Sequence, residues 1–167
     1  MLILGSSAFA QNFQADNQRV VSSKESGVKA AVIVNTVLLE QTALDLVNQK
    51  RIENKLQPLV WNDKLASIAR RHSRNMAESK FFSHRGLDDK IVSDRADDAG
   101  MGRWRAIGEN IAYNRGYADP VSRAVELWLD SAPHKRNLLD NSWKETAVGI
   151  SIAADGSFYL TQVFLKK

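Results

Sequence analysis

Few residues of this sequence could carry chemistry, because it contains three histidines and no cysteine. The lack of cysteine excludes disulfides, zinc–thiolate sites, iron–sulfur clusters and thiol nucleophiles. His84, in the segment FFSHRG, and His134, which follows an Ala-Pro pair, are both predicted to lie where a helix ends. Such positions often carry functional groups. His72 is predicted to lie in the middle of a helix near its apolar face, and we interpret it as structural.

Glu109 adds a carboxylate, in the segment GENI at the predicted start of a strand. Two imidazoles and one carboxylate suit a divalent cation such as zinc and leave one coordination position open. The spacing of His84, Glu109 and His134 matches no short-range ligand motif such as H-E-x-x-H. Without a metal, Glu109 could act as a general base and a histidine, which titrates near neutral pH, as a general acid. These three residues are therefore the candidates for a metal site or for catalysis.

Two other interpretations of the same segments stay open. A serine–histidine–carboxylate site could use Ser83 or Ser131, although no G-x-S-x-G elbow is present to place the nucleophile. Alternatively, Glu109 and Asn110 could hold loop backbones by hydrogen bonds while His134 caps a helix end, and all three residues would then be structural.

The candidates lie far apart in the chain, so the surrounding elements must bring them together. Helical spacing of apolar residues predicts four helices: 35–55, 62–79, 93–100 and one that begins at Asp119. Alternating patterns predict three strands: 110–114, 146–153 and 157–165. The last two are joined through Asp155-Gly156, a pair typical of hairpin turns. Helices and strands without regular βαβ alternation indicate an α+β fold with an antiparallel sheet.

Residues 1–34 are predicted to lie outside this domain, which spans 35–167. Residues 1–10 end in Ser-Ala-Phe-Ala, the form of a signal-peptidase site, and we expect them to be a truncated signal peptide. Residues 11–34 are predicted to be a linker or N-terminal arm, because 11–29 is polar and without period. The mature protein is then expected to be secreted or periplasmic. No segment approaches the ~20 apolar residues that span a membrane.

Composition agrees with a single soluble domain. The 167 residues are 44% hydrophobic and 25% charged, which is too apolar for a disordered chain and long enough for one core. The net charge is +4, but the positive residues are scattered, so no nucleic-acid partner is expected.

Four blocks of the sequence resemble, in their order, the CAP superfamily of cysteine-rich secretory, antigen 5 and pathogenesis-related proteins, also called SCP domains. The blocks span about 39–164 and read LVNQKRIENKLQPLVWNDKLASIARRHSRNMAESKFFSHRG, IGENIAYN, AVELWLDSAPHKRNLL and VGISIAADGSFYLTQVF. The sequence is most similar to the cysteine-free bacterial branch. The resemblance implies a three-layer α-β-α sandwich around a central antiparallel sheet, with a cleft lined by two histidines and two acidic residues.

Carried over by position, the resemblance places His84, Glu109 and His134 in the cleft, with Asn110 and Ser131 lining it. Ser131 stands where the W-x-x-E motif of animal members has the second glutamate. The metal set that the resemblance implies is thus reduced to His84, Glu109 and His134, with zinc as the candidate ion.

The expected function is that of a secreted, non-catalytic binding module for a lipid, a glycan or another component of the cell envelope. The alternative is a metal-assisted hydrolase or peptidase that acts on cell-wall or host protein, with the metal lowering the pKa of a bound water. Binding is favoured because no residue of the motifs supplies an evident nucleophile.

Overall fold

The computed structural model describes residues 18–22 and 31–167, in which five helices and six strands are present. In chain order they are β1 (Gln18–Ser22), β2 (Ala31–Asn35), α1 (Thr36–Glu53), β3 (Val60–Trp61), α2 (Asp63–Ser79), α3 (Val92–Asp98), β4 (Ala106–Asn114), α4 (Pro120–Asp130), α5 (Ala132–Leu138), β5 (Glu145–Ile152) and β6 (Phe158–Lys166). The chain divides into two compact units, residues 1–35 and residues 36–167.

In the first unit, β1 and β2 form an antiparallel pair in which Gln18 lies opposite Asn35 and Ser22 lies opposite Ala31. Residues 11–34 were predicted to be a linker or N-terminal arm, and no strand was predicted there; β1 and most of β2 lie within this range. Each strand has only five residues, which is too few for a clear periodic signal in the sequence. The predicted signal peptide over 1–10 lies outside the described residues.

The second unit is built on a four-stranded sheet in the order β3-β5-β6-β4. The three long strands are antiparallel, and Glu109 of β4 lies opposite Val163 of β6. The predicted hairpin between β5 and β6 is confirmed, and Gly156 in its turn has a φ of +84°. The two-residue β3, which was not predicted, pairs parallel with the start of β5.

Helices cover both faces of this sheet. On one face, α1 and α4 pack against it around the fully buried Trp128, together with Val148 and Leu160. On the other face, α2 packs against it through Leu65 and Ile68, and α3 adds Ala96. Alternate residues of β5 point to opposite faces, as the two-residue period of a strand requires. The predicted three-layer α-β-α sandwich is therefore the observed fold.

Helix α2 is positioned by its N-cap and by a close approach to β5. Asn62 caps it by accepting hydrogen bonds from the backbone N–H groups of Lys64 and Leu65. Its backbone lies so close to β5 that a Cβ on Gly149 would be 2.1 Å from the backbone nitrogen of Arg70. Only glycine fits at this crossing, where the Ser73 hydroxyl also donates to the Gly149 carbonyl at 2.9 Å.

Candidate functional site

Three elements bring the predicted site residues together. The segment after α2 carries His84, the middle of β4 carries Glu109 and Asn110, and α5 carries His134. The ring centroids of His84 and His134 are 6.0 Å apart, and His84 Nδ1 lies 2.8 Å from Glu109 Oε1. Residues separated by up to fifty positions in the sequence thus form one cluster.

Glu109 is the buried centre of this cluster. Its side chain is 3% exposed, whereas that of His84 is 51% exposed. Because an ionised carboxylate only accepts hydrogen bonds, His84 Nδ1 carries the proton of this contact. The second oxygen, Oε2, accepts a hydrogen bond from Arg95 Nη2 at 2.5 Å. Each carboxylate oxygen therefore has one hydrogen-bond partner inside the protein.

Arg95, on α3, is a member of the site that the sequence analysis missed. Its side chain is 4% exposed, and its Nη1 also donates to the backbone carbonyls of His84 at 3.2 Å and Lys90 at 2.7 Å. Arg95 therefore pairs with Glu109 and fixes the backbone that carries His84. An arginine in a short polar helix resembles a surface residue in sequence, so nothing in the pattern indicates its burial.

Two asparagines connect β4 to α5. Asn110, fully buried, donates from Nδ2 to the His134 carbonyl at 3.0 Å. Asn137 Nδ2 donates to the Glu109 carbonyl at 3.1 Å and to Asn110 Oδ1 at 3.0 Å. These bonds hold the helix that carries His134 against the strand that carries Glu109. Asn137 is the second residue that the sequence analysis missed.

The structure corrects two predicted positions. His134 does not follow a helix end but lies inside α5, which is separated from α4 by Ser131 alone. The seven residues of α5 are too few to show helical periodicity, and the Ala-Pro pair marks the start of this helix. Glu109 does not start a strand but lies in the middle of β4, which begins at Ala106.

His134 lies beside a cavity of about 420 Å³. Its walls are mostly aromatic or aliphatic, with a few polar groups: Lys80, Phe81, Phe82, Ile111, Ala112, Tyr113, Leu127, Trp128, Ser131, His134 and Tyr159. Burial lowers the pKa of His134 below its ordinary value, and the neighbouring His84 lowers it further. The imidazole of His134 is therefore neutral at pH 7 and can donate or accept a hydrogen bond at the cavity wall.

His72 contacts the segment that carries His84. It is fully buried, its Nε2 lies 2.9 Å from the Ser83 carbonyl, and its ring packs edge-on against Phe81. Burial lowers the pKa of His72, which favours the neutral ring. The structural role predicted for His72 agrees with this position, since the contact fixes the backbone next to His84.

The implied three-residue metal set does not fit this arrangement. A dication on Glu109 would have to displace His84 or lie next to the guanidinium of Arg95, and like charges in a buried site are strongly unfavourable. Among residues 36–167, no group of three or more His, Asp or Glu side chains is arranged to hold a metal ion. No step of a mechanism is therefore assigned to zinc.

The serine alternatives can also be placed. Ser83 Oγ accepts a hydrogen bond from the backbone N–H of Arg85 at 3.0 Å, which is a local turn contact. Ser131 lines the cavity beside His134. The structure thus brings together His84, Glu109, Asn110 and His134, with Ser131 at the adjoining cavity.

Comparison with known proteins gives the family. Residues 44–164 match the CAP family, described as the cysteine-rich secretory protein family. The chain belongs to this family.

Two proteins of Bacillus subtilis are similar in sequence. One, named uncharacterized membrane protein YlbC, is 37% identical over 128 residues, which are 77% of this chain and 34% of that protein. The other, named uncharacterized protein YkwD, is 29% identical over 77% of this chain and 47% of its own length. The chain thus spans about a third to a half of the length of these relatives.

Solved structures show the same fold. An extracellular protein with an SCP domain from Bacillus anthracis has a TM-score of 0.68 and 26% identity, covering 83% of this chain and 47% of that chain. An outer surface protein from Borrelia burgdorferi has a TM-score of 0.70 and 18% identity, covering 80% of this chain and 96% of that chain. Across residues 36–167, no helix has both the length and the apolar character to cross a membrane.

Proposed function

We propose that this CAP domain is an exported, non-catalytic binding module that takes a lipid or another envelope component with an apolar portion. The observation that carries the proposal is the 420 Å³ cavity, whose aromatic and aliphatic walls meet a few polar groups at Lys80, Ser131 and His134. A concave apolar surface with a small number of polar groups is typical of a ligand pocket.

The rim of the cavity supports this proposal. Phe82 is 51% exposed and Tyr113 is 41% exposed, and their ring centroids are 6.2 Å apart. Tyr113 also packs edge-on against the buried Tyr159 at 5.0 Å, which holds its ring in place. Adjacent exposed aromatic rings at a cavity mark an interaction surface, because the ligand would remove apolar area from water.

The hydrogen bonds of Glu109 favour binding over catalysis. A general base or a metal ligand needs a carboxylate oxygen that can reach the substrate or the ion. In Glu109 both oxygens are already bonded, to His84 and to Arg95. The carboxylate therefore orients His84 and neutralises Arg95, and the imidazoles act as polar contacts for a bound ligand.

The binding proposal is tested by calorimetric titration with laurate, which offers an apolar chain and a carboxylate for Lys80 or His134. Replacing both rim rings, Phe82→Ala with Tyr113→Ala, is expected to weaken binding at least tenfold, since each ring contributes on the order of 1 kcal/mol or more. Leu87→Ala is the matched control, because Leu87 is 74% exposed and does not line the cavity. Absence of laurate binding, or binding that the double variant leaves unchanged, would reject the lipid proposal.

Export rests on two observations. The segment Ser7-Ala8-Phe9-Ala10 has the form of a signal-peptidase site, and a similar solved SCP-domain protein is extracellular by name. Fractionation of the native host, followed by N-terminal sequencing, is expected to find a chain that begins at Gln11 outside the cytoplasm. A cytosolic chain that retains Met1 would contradict export.

A second candidate, a hydrolase, is favoured by one observation. Glu109 orients His84 through Nδ1, and within the described residues Nε2 of His84 has no hydrogen-bond partner. An oriented imidazole of this kind can act as a general base on water. Turnover of casein or peptidoglycan that is lost in His84→Gln and in Glu109→Gln, with urea denaturation showing that both variants are folded, would establish this activity, whereas turnover that persists in both variants would exclude it.

A further inference from the structure

A second cavity lies on another part of the surface, where the end of α3, the segment 99–105 and the end of β6 meet. Its volume is about 540 Å³, and it is lined by Asp97, Gly102, Arg103, Trp104, Arg105 and Lys167. It shares no lining residue with the aromatic cavity beside His134. We call it the basic cavity.

The charges of the basic cavity are unbalanced. Arg103 and Arg105 are exposed, and within residues 36–167 neither side chain forms an ion pair or a hydrogen bond. Lys167 is paired with Glu145 at 2.5 Å, and Asp97 accepts a hydrogen bond from Trp104 Nε1 at 3.3 Å. Two guanidinium groups are thus left without a partner at the mouth of one concavity.

The segment that carries these arginines is held in place. Trp104 packs against the core cluster under α2, and its indole N–H is fixed by Asp97. The backbone N–H of Arg105 donates to the Lys166 carbonyl at 2.8 Å, which joins the segment to the end of β6. A backbone that is already ordered lowers the entropy cost of binding.

We propose that the basic cavity binds a phosphate group on a molecule of headgroup size, with the phosphate on Arg103 and Arg105 and its carbon skeleton against Trp104. The planar guanidinium of arginine donates two parallel hydrogen bonds and matches phosphate geometry. Small-molecule sites typically have volumes of roughly 300–1,000 Å³, and this cavity is about 540 Å³. The ligand is thus a phosphomonoester or a phosphodiester.

The same chemistry is offered by a soluble phosphate ester and by the headgroup of an anionic phospholipid. Nucleic acid is disfavoured because the other positive residues of the chain are scattered and the net charge is only +4. The experiment therefore has one arm for each source of the phosphate group, and an oligonucleotide serves as the competing case.

In the first arm, glycerol 3-phosphate is titrated into the protein by calorimetry. In the second, the protein is sedimented with phosphatidylglycerol vesicles and, as reference, with phosphatidylcholine vesicles. The double variant Arg103→Gln with Arg105→Gln is expected to weaken binding at least tenfold in whichever arm shows it. Binding should also fall steeply as salt is raised, because exposed charges are screened.

The matched control is Arg74→Gln with Arg115→Gln, which removes the same charge from exposed arginines that do not line the cavity. Retained binding in the control and loss in the Arg103/Arg105 variant would support the site, and the arm that binds identifies the source of phosphate. Equal losses in both double variants, no binding in either arm, or tighter binding of oligo(dT) than of both probes would overturn the proposal. Urea denaturation of both variants checks that the fold is intact.

Discussion

Two buried carboxylate–arginine pairs in this domain have the same chemistry and different surroundings. In the scaffold pair, Glu40 of α1 bonds to Arg70 of α2 at 2.6 Å and accepts a hydrogen bond from the Ile150 backbone N–H at 3.1 Å. In the cleft pair, Glu109 bonds to Arg95 at 2.5 Å and accepts its other hydrogen bond from His84. Glu40 thus joins α1, α2 and β5, whereas Glu109 joins the buried Arg95 to the half-exposed ring of His84.

The difference also concerns the arginines. The Arg70 side chain is 29% exposed, so its charge reaches water, whereas that of Arg95 is 4% exposed. Burial raises the pKa of Glu40 above its ordinary value, although the hydrogen bonds and charge of Arg70 oppose this. Glu40 accepts hydrogen bonds from Arg70 Nε and Nη2 and from the Ile150 backbone, whereas Glu109 accepts one on each oxygen. The cleft carboxylate is therefore the less completely bonded of the two, and it is its arginine that is the more deeply buried.

Substitution of the glycine next to each pair tests how tightly the adjoining strand is packed. Gly149→Ala, beside Ile150, places a Cβ 2.1 Å from the Arg70 backbone and is expected to cost about 3 kcal/mol by forcing α2 from the sheet. Gly108→Ala, beside Glu109, meets the edge of the Trp143 ring at 2.9 Å, which can shift, and is expected to cost about 1 kcal/mol. Urea denaturation measures both losses. Equal losses would show that the scaffold crossing is no tighter than the cleft.

The same change in each carboxylate tests the pairs directly. Glu109→Gln leaves the Arg95 charge buried without a counter-charge, and the expected loss is ~3–5 kcal/mol. Glu40→Gln leaves Arg70 free to turn to water, so its expected loss is roughly 1–2 kcal/mol. The free energy of unfolding of the two variants at pH 7 gives the comparison. A larger loss for Glu40→Gln would show that the scaffold pair contributes more to stability than the cleft pair.

A smaller effect on the free energy of unfolding is expected from pH, through the buried His72. Burial lowers the pKa of His72 in the folded state, so the unfolded chain binds more protons than the folded chain as pH falls below about 6.5. The folded state therefore loses stability from that pH down to the folded-state pKa. Above that window the contribution is fully present. His72→Gln is expected to reduce the loss between pH 7.5 and 5.5, as measured by urea denaturation. A pH-dependent loss that His72→Gln leaves unchanged would contradict this assignment.

Much of the fold follows from local signals in the sequence. The start of α2 near Asn62, the start of α4 near Asp119 and the Asp155-Gly156 turn were all predicted, because each depends on residues close in the chain. Helix α5 was missed because it is short and separated from α4 by a single residue. The start of β4 was placed too late because Gly108 and Glu109 interrupt the apolar pattern.

The site was predictable only in part for a related reason. His84, Glu109 and His134 stand out by residue type and by the family resemblance, and the structure brings them together. Arg95 and Asn137 act through partners distant in the sequence, and neither has a local pattern that signals burial. The bonding of both Glu109 oxygens, which decides what the carboxylate can do, is a property of the folded state alone.

The most direct test of this account is the protonation of the His84 ring, observed by nitrogen-15 NMR at pH 7.5 before and after one equivalent of zinc. The expected result is a proton on Nδ1, with neither that proton nor the Nε2 chemical shift changed by zinc. It would show that Glu109 still accepts the hydrogen bond from His84 and that the ring takes up no ion. A zinc-induced shift of Nε2, or loss of the Nδ1 proton with release of Glu109 to the ion, would contradict the account and establish a metal centre in the cleft.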